Sequence, residues 1–187
     1  LDPDTAMSPG TWPAALRAAG AGCDAVDRIM RREVDNAFCA VRPPGHHAVP
    51  NQAMGFCFFN NIAVAARHAL AAWPLSRVAI VDFDVHHGNG TEAVFSNDES
   101  VLMVGTFQHP FYPYSGTEPH ASNMCNVPLA AGTRGEGFRQ AVTDLWLPRL
   151  HDFQPEMIFI SAGFDAHRED DMASLGLIED DYAWVTT

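Results

Sequence analysis

Val78-Ala79-Ile80-Val81-Asp82-Phe83-Asp84-Val85-His86-His87-Gly88-Asn89-Gly90 is the stretch on which the fold turns. It begins as an apolar, β-branched run, the pattern of a buried strand. It then places Asp82, Asp84 and His86 at alternate positions. Side chains of an extended chain alternate, so these three leave on one side while Phe83 and Val85 leave on the other. Packing does not account for two carboxylates and an imidazole at the end of a buried strand, because a buried carboxylate without a partner is costly. A bound cation offsets that cost, and Asp with His is a ligand set that zinc accepts. The plainer alternative is a strand end that runs into solvent.

Upstream, residues 12–34 carry Leu16, Ala19, Cys23, Val26, Met30 and Val34 at steps of three and four, with charged residues between. That pattern predicts an amphipathic helix whose role is packing. Ala37–Val41 reads as a short buried strand. The prolines and glycine of Arg42-Pro43-Pro44-Gly45-His46-His47-Ala48 forbid regular structure there. A loop after a strand is where open α/β sheets build their sites. Adjacent histidines in such a loop suit proton transfer, although a surface pair is the plainer reading. In Gly55-Phe56-Cys57-Phe58-Phe59-Asn60-Asn61, Phe56 is either core or the lining of an apolar channel. Asn60 or Asn61 caps the next helix, which Pro74 ends.

Downstream, Val101–Val104 and Asn126–Leu129 read as strands around an aromatic, proline-rich loop, residues 108–116. Thr133-x-x-Glu136 fits a capping box for a helix through Phe138, Val142, Leu145 and Trp146 that Pro148 kinks or ends. Met157–Ser161 reads as a buried strand leading to Gly163-Phe164-Asp165, so Asp165 is a natural third ligand. Strands alternating with helices predict a mainly parallel sheet covered on both faces, a three-layer αβα domain. In that fold His46, His47, Asp84, His86 and Asp165 converge at one rim.

The 187 residues suffice for one domain. With 11 Lys+Arg against 23 Asp+Glu and a net charge of −12, direct binding to nucleic acid or an anionic membrane is disfavoured, and a cationic substrate is attracted. Cys23, Cys39, Cys57 and Cys125 form no C-x-x-C pair and read as reduced and structural. With no signal peptide and no long apolar run, a cytoplasmic protein is the expectation. Leu1 in place of Met, and an amphipathic pattern from Asp180 that stops at Thr187, suggest a partial domain, incomplete at both ends.

Residues 42–48, 55–61, 81–91 and Ser161-Ala162-Gly163-Phe164-Asp165-Ala166-His167 together resemble the zinc-dependent histone deacetylase family. Asn89 resembles its class II branch and the bacterial deacetylase-like amidohydrolases; class I members carry Asp there. The resemblance implies a single partial catalytic domain of the arginase/deacetylase fold over residues 1–187. It implies Asp84, His86 and Asp165 as zinc ligands and His46 and His47 as the tandem active-site histidines. It implies Asp82 as the carboxylate that orients His46, and Asn89 as the partner of His47. Gly55, Phe56 and Tyr112 match the walls of an acyl-lysine tunnel, and Asp4 an acidic residue that grips the substrate backbone. A potassium site falls on Asp82, Asp84, His86, Gly105 and Thr106, weakened because Gly105 lacks the family's serine hydroxyl. A second cation site falls near Phe95, Asp98 and Val101.

The implied reaction is hydrolysis of acetyl-lysine amides in a peptide or protein, and a homo-oligomer is one assembly state the chain could adopt. An acetylpolyamine amidohydrolase is the close alternative, and a non-catalytic zinc-containing acyl-lysine reader is the alternative of another class. A binuclear manganese hydrolase such as arginase shares the fold but needs more carboxylates around the pocket. The family's oxyanion-stabilising Tyr or His follows the third ligand in a glycine-rich loop that residues 1–187 do not contain, so the chain alone is expected to be nearly inactive.

Overall fold

The computed structural model describes residues 2–118 and 121–187. In chain order it runs α1 (Thr11–Met30), α2 (Asn61–Ala72), β1 (Val78–Asp82), α3 (Asn89–Phe95), β2 (Val101–Gln108) and β3 (Met124–Leu129). Then follow α4 (Gly135–Ala141), a π-helical turn (Val142–Trp146), α5 (Leu147–Phe153), β4 (Met157–Ser161) and α6 (Glu179–Val185). The four strands form one sheet in the order β3-β2-β1-β4, and every neighbouring pair is parallel. β1 is central and all five of its residues are buried, as its apolar run requires.

Alternation along β1 and its extension divides the core in two. Val78 and Ile80 pack with Ala63, Ala66, Phe95, Val101, Met103 and Met124 on one face. Val81, Phe83 and Val85 pack with Phe138, Val142, Trp146, Leu177 and Tyr182 on the other. Each such side chain, fully buried, stabilises the fold by roughly 1.5–3 kcal/mol. The sheet thus lies between helical layers, as the alternating pattern predicted.

Several local expectations are corrected. Helix α1 ends at Met30 because Arg32 adopts a left-handed conformation, φ 60°, and Val34 is outside it. Its buried face is Ala15, Ala18 and Val26, whereas Leu16 is 50% exposed. Small residues win because α1 meets α2 closely: a Cβ on Gly22 would come within 2.8 Å of Ala65 Cβ. Ala37–Val41 forms no strand: Val41 N–H donates to Cys39 O at 2.9 Å, the segment pairs with no strand among the described residues, and Phe38 is 75% exposed. Strand β4 borders the sheet rather than its centre, so Ile158 and Ile160 are exposed on it. Leu145 is likewise exposed.

Asn60, not Asn61, caps α2, accepting from Ala63 N–H at 3.1 Å. The capping box at Thr133 does not form: Thr133 Oγ1 donates to Ala130 O, and α4 starts at Gly135 with no side-chain cap. A Cβ on Gly135 would overlap the Asp181 carboxylate, which is anchored instead by Arg139 Nε–H at 2.8 Å and the Ile178 N–H at 2.9 Å. Pro148 does not end the helical run, because it occupies the first turn of α5, where its missing N–H costs nothing. All four cysteines are free, but Cys39 is exposed rather than packed. Among the described residues no helix is long and apolar enough to cross a membrane.

Candidate active site

The carboxyl ends of adjacent parallel strands form a common rim, where open sheets place ligands. Asp82 ends β1, in register with Gly105 of β2 and Ser161 of β4. The segments leaving these three strands carry Asp84 and His86, Phe111 and Tyr112, and Asp165. The proline-rich loop brings His46 and His47 over them.

Asp84, His86 and Asp165 each offer one ligating atom, and these lie within 4.8 Å of one another. His86 Nδ1–H lies 2.8 Å from Asp84 Oδ1 and 3.1 Å from Asp165 Oδ2. The backbone aims both carboxylates: Asp84 Oδ1 accepts from His86 N–H at 2.8 Å, and Asp165 Oδ1 from Val85 N–H at 2.9 Å. Gly163 must be glycine, because a Cβ there would overlap Asp84 Oδ2. Burial alone would lower the His86 pKa, but its hydrogen bonds to Asp165 and Asp84 raise it to about 9. A proton therefore sits between two carboxylates, in a place that a divalent cation can take. Two carboxylates and one imidazole suit zinc and leave coordination positions for water and substrate. Other oxygen-tolerant divalent ions accept the same donors.

His46 Nδ1–H donates to Asp82 Oδ2 at 2.9 Å, and both side chains are buried. Burial alone would lower the His46 pKa, but the charges of Asp82 and Asp84 raise it to about 9. His47 behaves oppositely. Burial, and then the neighbouring His46 cation, push it down to about 3. Its Nδ1–H donates to Asn89 Oδ1 at 2.7 Å, and Asn89 in turn donates to Met54 Sδ at 3.5 Å. That bond leaves Nε2 as the unprotonated, basic nitrogen of His47. The two rings lie 4.1 Å apart, so one cation and one base stand side by side.

Aromatic and glycine residues wall this pair. Tyr112 meets His47 edge-on at 5.2 Å between ring centres, and Phe111 stacks on His86 at 5.2 Å. Gly55 lies flat on His47, where a Cβ would overlap the ring. Phe56 is half exposed and so is not a core residue. Asp4 is exposed and lines a surface groove of about 380 Å³ with Arg42, Pro43, Phe56 and Phe58.

For the cation sites, Asp82, Gly105 and Thr106 adjoin across the β1–β2 pairing. A Cβ on Gly105 would make only ordinary contact, 3.5 Å from Asp82 O, so no steric reason excludes a side chain there. The carbonyls of Phe95, Asp98 and Val101 do converge, but on a protein group. Asn123 Nδ2–H donates toward all three at 2.8, 3.1 and 2.9 Å. The Asn123 side-chain amide thus ties the three carbonyls together.

Sequence reasoning does not reach three features of the site. Asp2 and Thr5 bind the Gly55–Phe56 backbone. Phe111 covers His86. His87 is buried between Ser115 Oγ at 2.9 Å and Glu92 Oε2 at 2.8 Å. The doubled histidine at 86–87 was the one available signal, since only one of a pair can face a metal.

Fold and site together define an α/β protein in which two carboxylates and one imidazole, a group that could hold a metal ion, meet beside a pair of buried histidines. All of residues 1–187 match the histone deacetylase domain, and the chain belongs to that family. It is 40% identical to the histone deacetylase-like amidohydrolase of Pseudomonas aeruginosa, over 100% of this chain and 51% of that protein. It is 39% identical to a probable deacetylase of Archaeoglobus fulgidus, over 98% of this chain and 52% of that protein. The crystal structure of the HDA15 HD domain superposes with a TM-score of 0.88 at 40% identity, over 92% of this chain and 52% of that one. The chain thus spans about half the length of these relatives.

Proposed function

We propose that this chain forms the core of a zinc-dependent deacetylase that hydrolyses N-acetyl-lysine amides to acetate and a free amine. The observation that carries this reading is the meeting of Asp84, His86 and Asp165 within 4.8 Å, beside an imidazole whose basic Nε2 is set by Asn89. Zinc in that cradle would polarise the amide carbonyl and lower the pKa of the attacking water.

The chain's own residues supply the rest. His47 is neutral at physiological pH, so its Nε2 accepts the proton of the attacking water and later delivers it to the leaving amine. His46, held protonated by Asp82 and Asp84, keeps a positive charge beside the reacting groups. Gly55, Phe56 and Tyr112 form narrow walls for the lysine stem, and Asp4 on the rim is an acceptor for the substrate backbone. The net charge of −12 favours an amine-bearing substrate, whether a basic peptide or an acetylated polyamine. Potassium bound near Asp82, Asp84, His86, Gly105 and Thr106 would be held weakly, since Gly105 offers no hydroxyl. The reaction is assigned to the cytoplasm, where a reduced-thiol protein is at home.

The second reading is a non-catalytic zinc-containing acyl-lysine reader. Within residues 1–187, Tyr112 OH donates to Asp2 and Tyr182 OH to Phe164 O, and Tyr114 is 72% exposed. An oxyanion donor is worth on the order of a hundredfold or more in rate. Residues 1–187 alone should therefore hydrolyse acetyl-lysine at least about a hundredfold more slowly than a full-length relative.

The test uses the full-length, zinc-loaded protein on acetyl-lysine peptides and on acetylated polyamines, with acetate release as the readout. Hydrolysis that His47→Ala abolishes supports the proposal, and the ratio of the two substrate rates selects between them. Tight acetyl-lysine binding without acetate release would establish the reader instead.

A further inference from the structure

Met54 and Cys57 form a two-residue hairpin: Met54 N–H donates to Cys57 O at 3.1 Å and Cys57 N–H to Met54 O at 3.0 Å. Its two central residues are Gly55 and Phe56, and both have positive φ, 57° and 65°. Positive φ at both places is the type I′ form of such a hairpin, which glycine tolerates and phenylalanine resists. A bulky residue held there is strained, and the conformation persists only when surroundings over-determine it. Here the surroundings are the first residues of the chain. Asp2 Oδ2 accepts from Gly55 N–H at 2.9 Å, and Thr5 Oγ1 accepts from Phe56 N–H at 3.2 Å. Successive left-handed residues direct their N–H groups toward one concavity, an arrangement that favours an anion.

Asp2 does more than satisfy a turn. The same Oδ2 lies 3.5 Å from the Tyr112 hydroxyl, on the loop that follows β2. Gly55 and Tyr112 both rest on His47, one flat on the ring and one edge-on. One carboxylate therefore joins the two walls between which the base sits. Its other oxygen, Oδ1, is buried without a partner among the described residues, so the group is enclosed rather than solvated at its far end. Thr5 N–H donates to Asp2 O at 3.2 Å and Thr5 is 3% exposed, which fixes the segment's path.

We propose that Asp2 is a positioning residue that sets the width of the acyl tunnel by tying the Gly55–Phe56 turn to Tyr112 across His47. The assignment rests on the deacetylase reading of the site. Loss of the carboxylate lets Phe56 leave its left-handed conformation and lets the two walls part. The effect falls on which acyl groups fit and on substrate alignment, not on metal retention, because Asp2 touches none of Asp84, His86 and Asp165.

The experiment compares full-length, zinc-loaded wild type with Asp2→Ala and Asp2→Asn. The expected result for Asp2→Ala is a loss in kcat/KM on acetyl-lysine peptide on the order of tenfold to a hundredfold, the scale of a small misalignment. Butyryl-lysine should lose less, so selectivity for the short acyl group relaxes, while zinc content stays at the wild-type value. Asp2→Asn keeps an acceptor for Gly55 N–H and should recover most of the loss. Hydrogen exchange at the Gly55 amide provides a readout that needs no turnover, and it should quicken in Asp2→Ala. Unchanged acyl selectivity together with unchanged Gly55 exchange overturns the proposal. If Asp2→Ala does not fold, Thr5→Val must show the same relaxed selectivity, and a wild-type profile in that variant overturns it equally. A wild type that hydrolyses no acyl-lysine refutes the deacetylase reading, while Gly55 exchange still decides whether Asp2 holds the turn.

Discussion

Replacing Asn89 by Asp converts the partner of His47 from a neutral amide into an anion without moving the accepting oxygen. In the present structure the Nδ1–H of His47 meets Asn89 Oδ1 at 2.7 Å, and burial and the His46 cation hold the imidazole at about 3. A unit charge about 4 Å away, at an effective dielectric constant near 20, is worth about 4 kcal/mol, or about 3 pKa units. Desolvation of the new carboxylate offsets part of that, so the expected rise is about 1–3 units, the usual range for an opposite charge at contact. His47 in Asn89→Asp should then titrate between about 4 and 6. The assay is NMR titration of selectively labelled histidine in the metal-free protein, with the resonance assigned by its absence in His47→Gln. Wild type should show no His47 titration above about pH 5. An Asn89→Asp protein whose His47 titrates no higher than in wild type would refute the claim that the Nδ1 contact governs the basicity of His47.

Asp165→Ala removes one ligand and one of the two partners of His86. Zinc content by atomic absorption should fall from one per chain to a small fraction, and full occupancy in that variant would disprove the cradle. Asn123→Ala leaves the carbonyls of Phe95, Asp98 and Val101 without their donor. It should lower stability in urea unfolding by roughly 1–3 kcal/mol, the cost of unsatisfied buried acceptors, and a change below about 0.5 kcal/mol would contradict this role. The metal-free protein should be most stable near neutral pH. His46 and His86 are raised to about 9, so their contribution is complete below about 6.5 and is lost as pH rises through 9. His47 is depressed to about 3, so its contribution is present above about 6.5 and is lost as pH falls toward 3. Urea midpoints that climb steadily from pH 7 to 9.5 would count against these ion pairs.

The chemistry at the rim was legible from the alternation of apolar and polar residues, although β1 itself ends at Asp82 and residues 84–86 bend. Asp82, Asp84 and His86 must share a side if Phe83 and Val85 are core, and both are buried. Asp165 follows a β-branched run and a glycine, and that glycine turned out to make room for Asp84. Packing was less legible. Periodicity selected Leu16 for the buried face of α1, but the close approach of Gly22 to Ala65 rewards Ala15 and Ala18 instead. Apolar composition marked Ala37–Val41 and Met157–Ser161 as buried strands, yet composition does not say which strand lies at a border or lacks a neighbour. Contacts between distant segments were illegible altogether. Nothing about Asp2 announces that it reaches Gly55 and Tyr112, because its role arises from a turn 53 residues away.

The border position of β4 has a practical consequence. Met157-Ile158-Phe159-Ile160-Ser161 is hydrogen-bonded to β1 along one side, and its other side has no strand partner among the described residues. It holds no lysine, proline or bulge of the kind that ordinarily blunts such a side. Residues 1–187 produced by themselves therefore carry a ready template for intermolecular ladder formation, and concentrated samples should thicken into β-rich aggregates. Ile158→Lys, at a position already 53% exposed, is the single change that should keep them in solution.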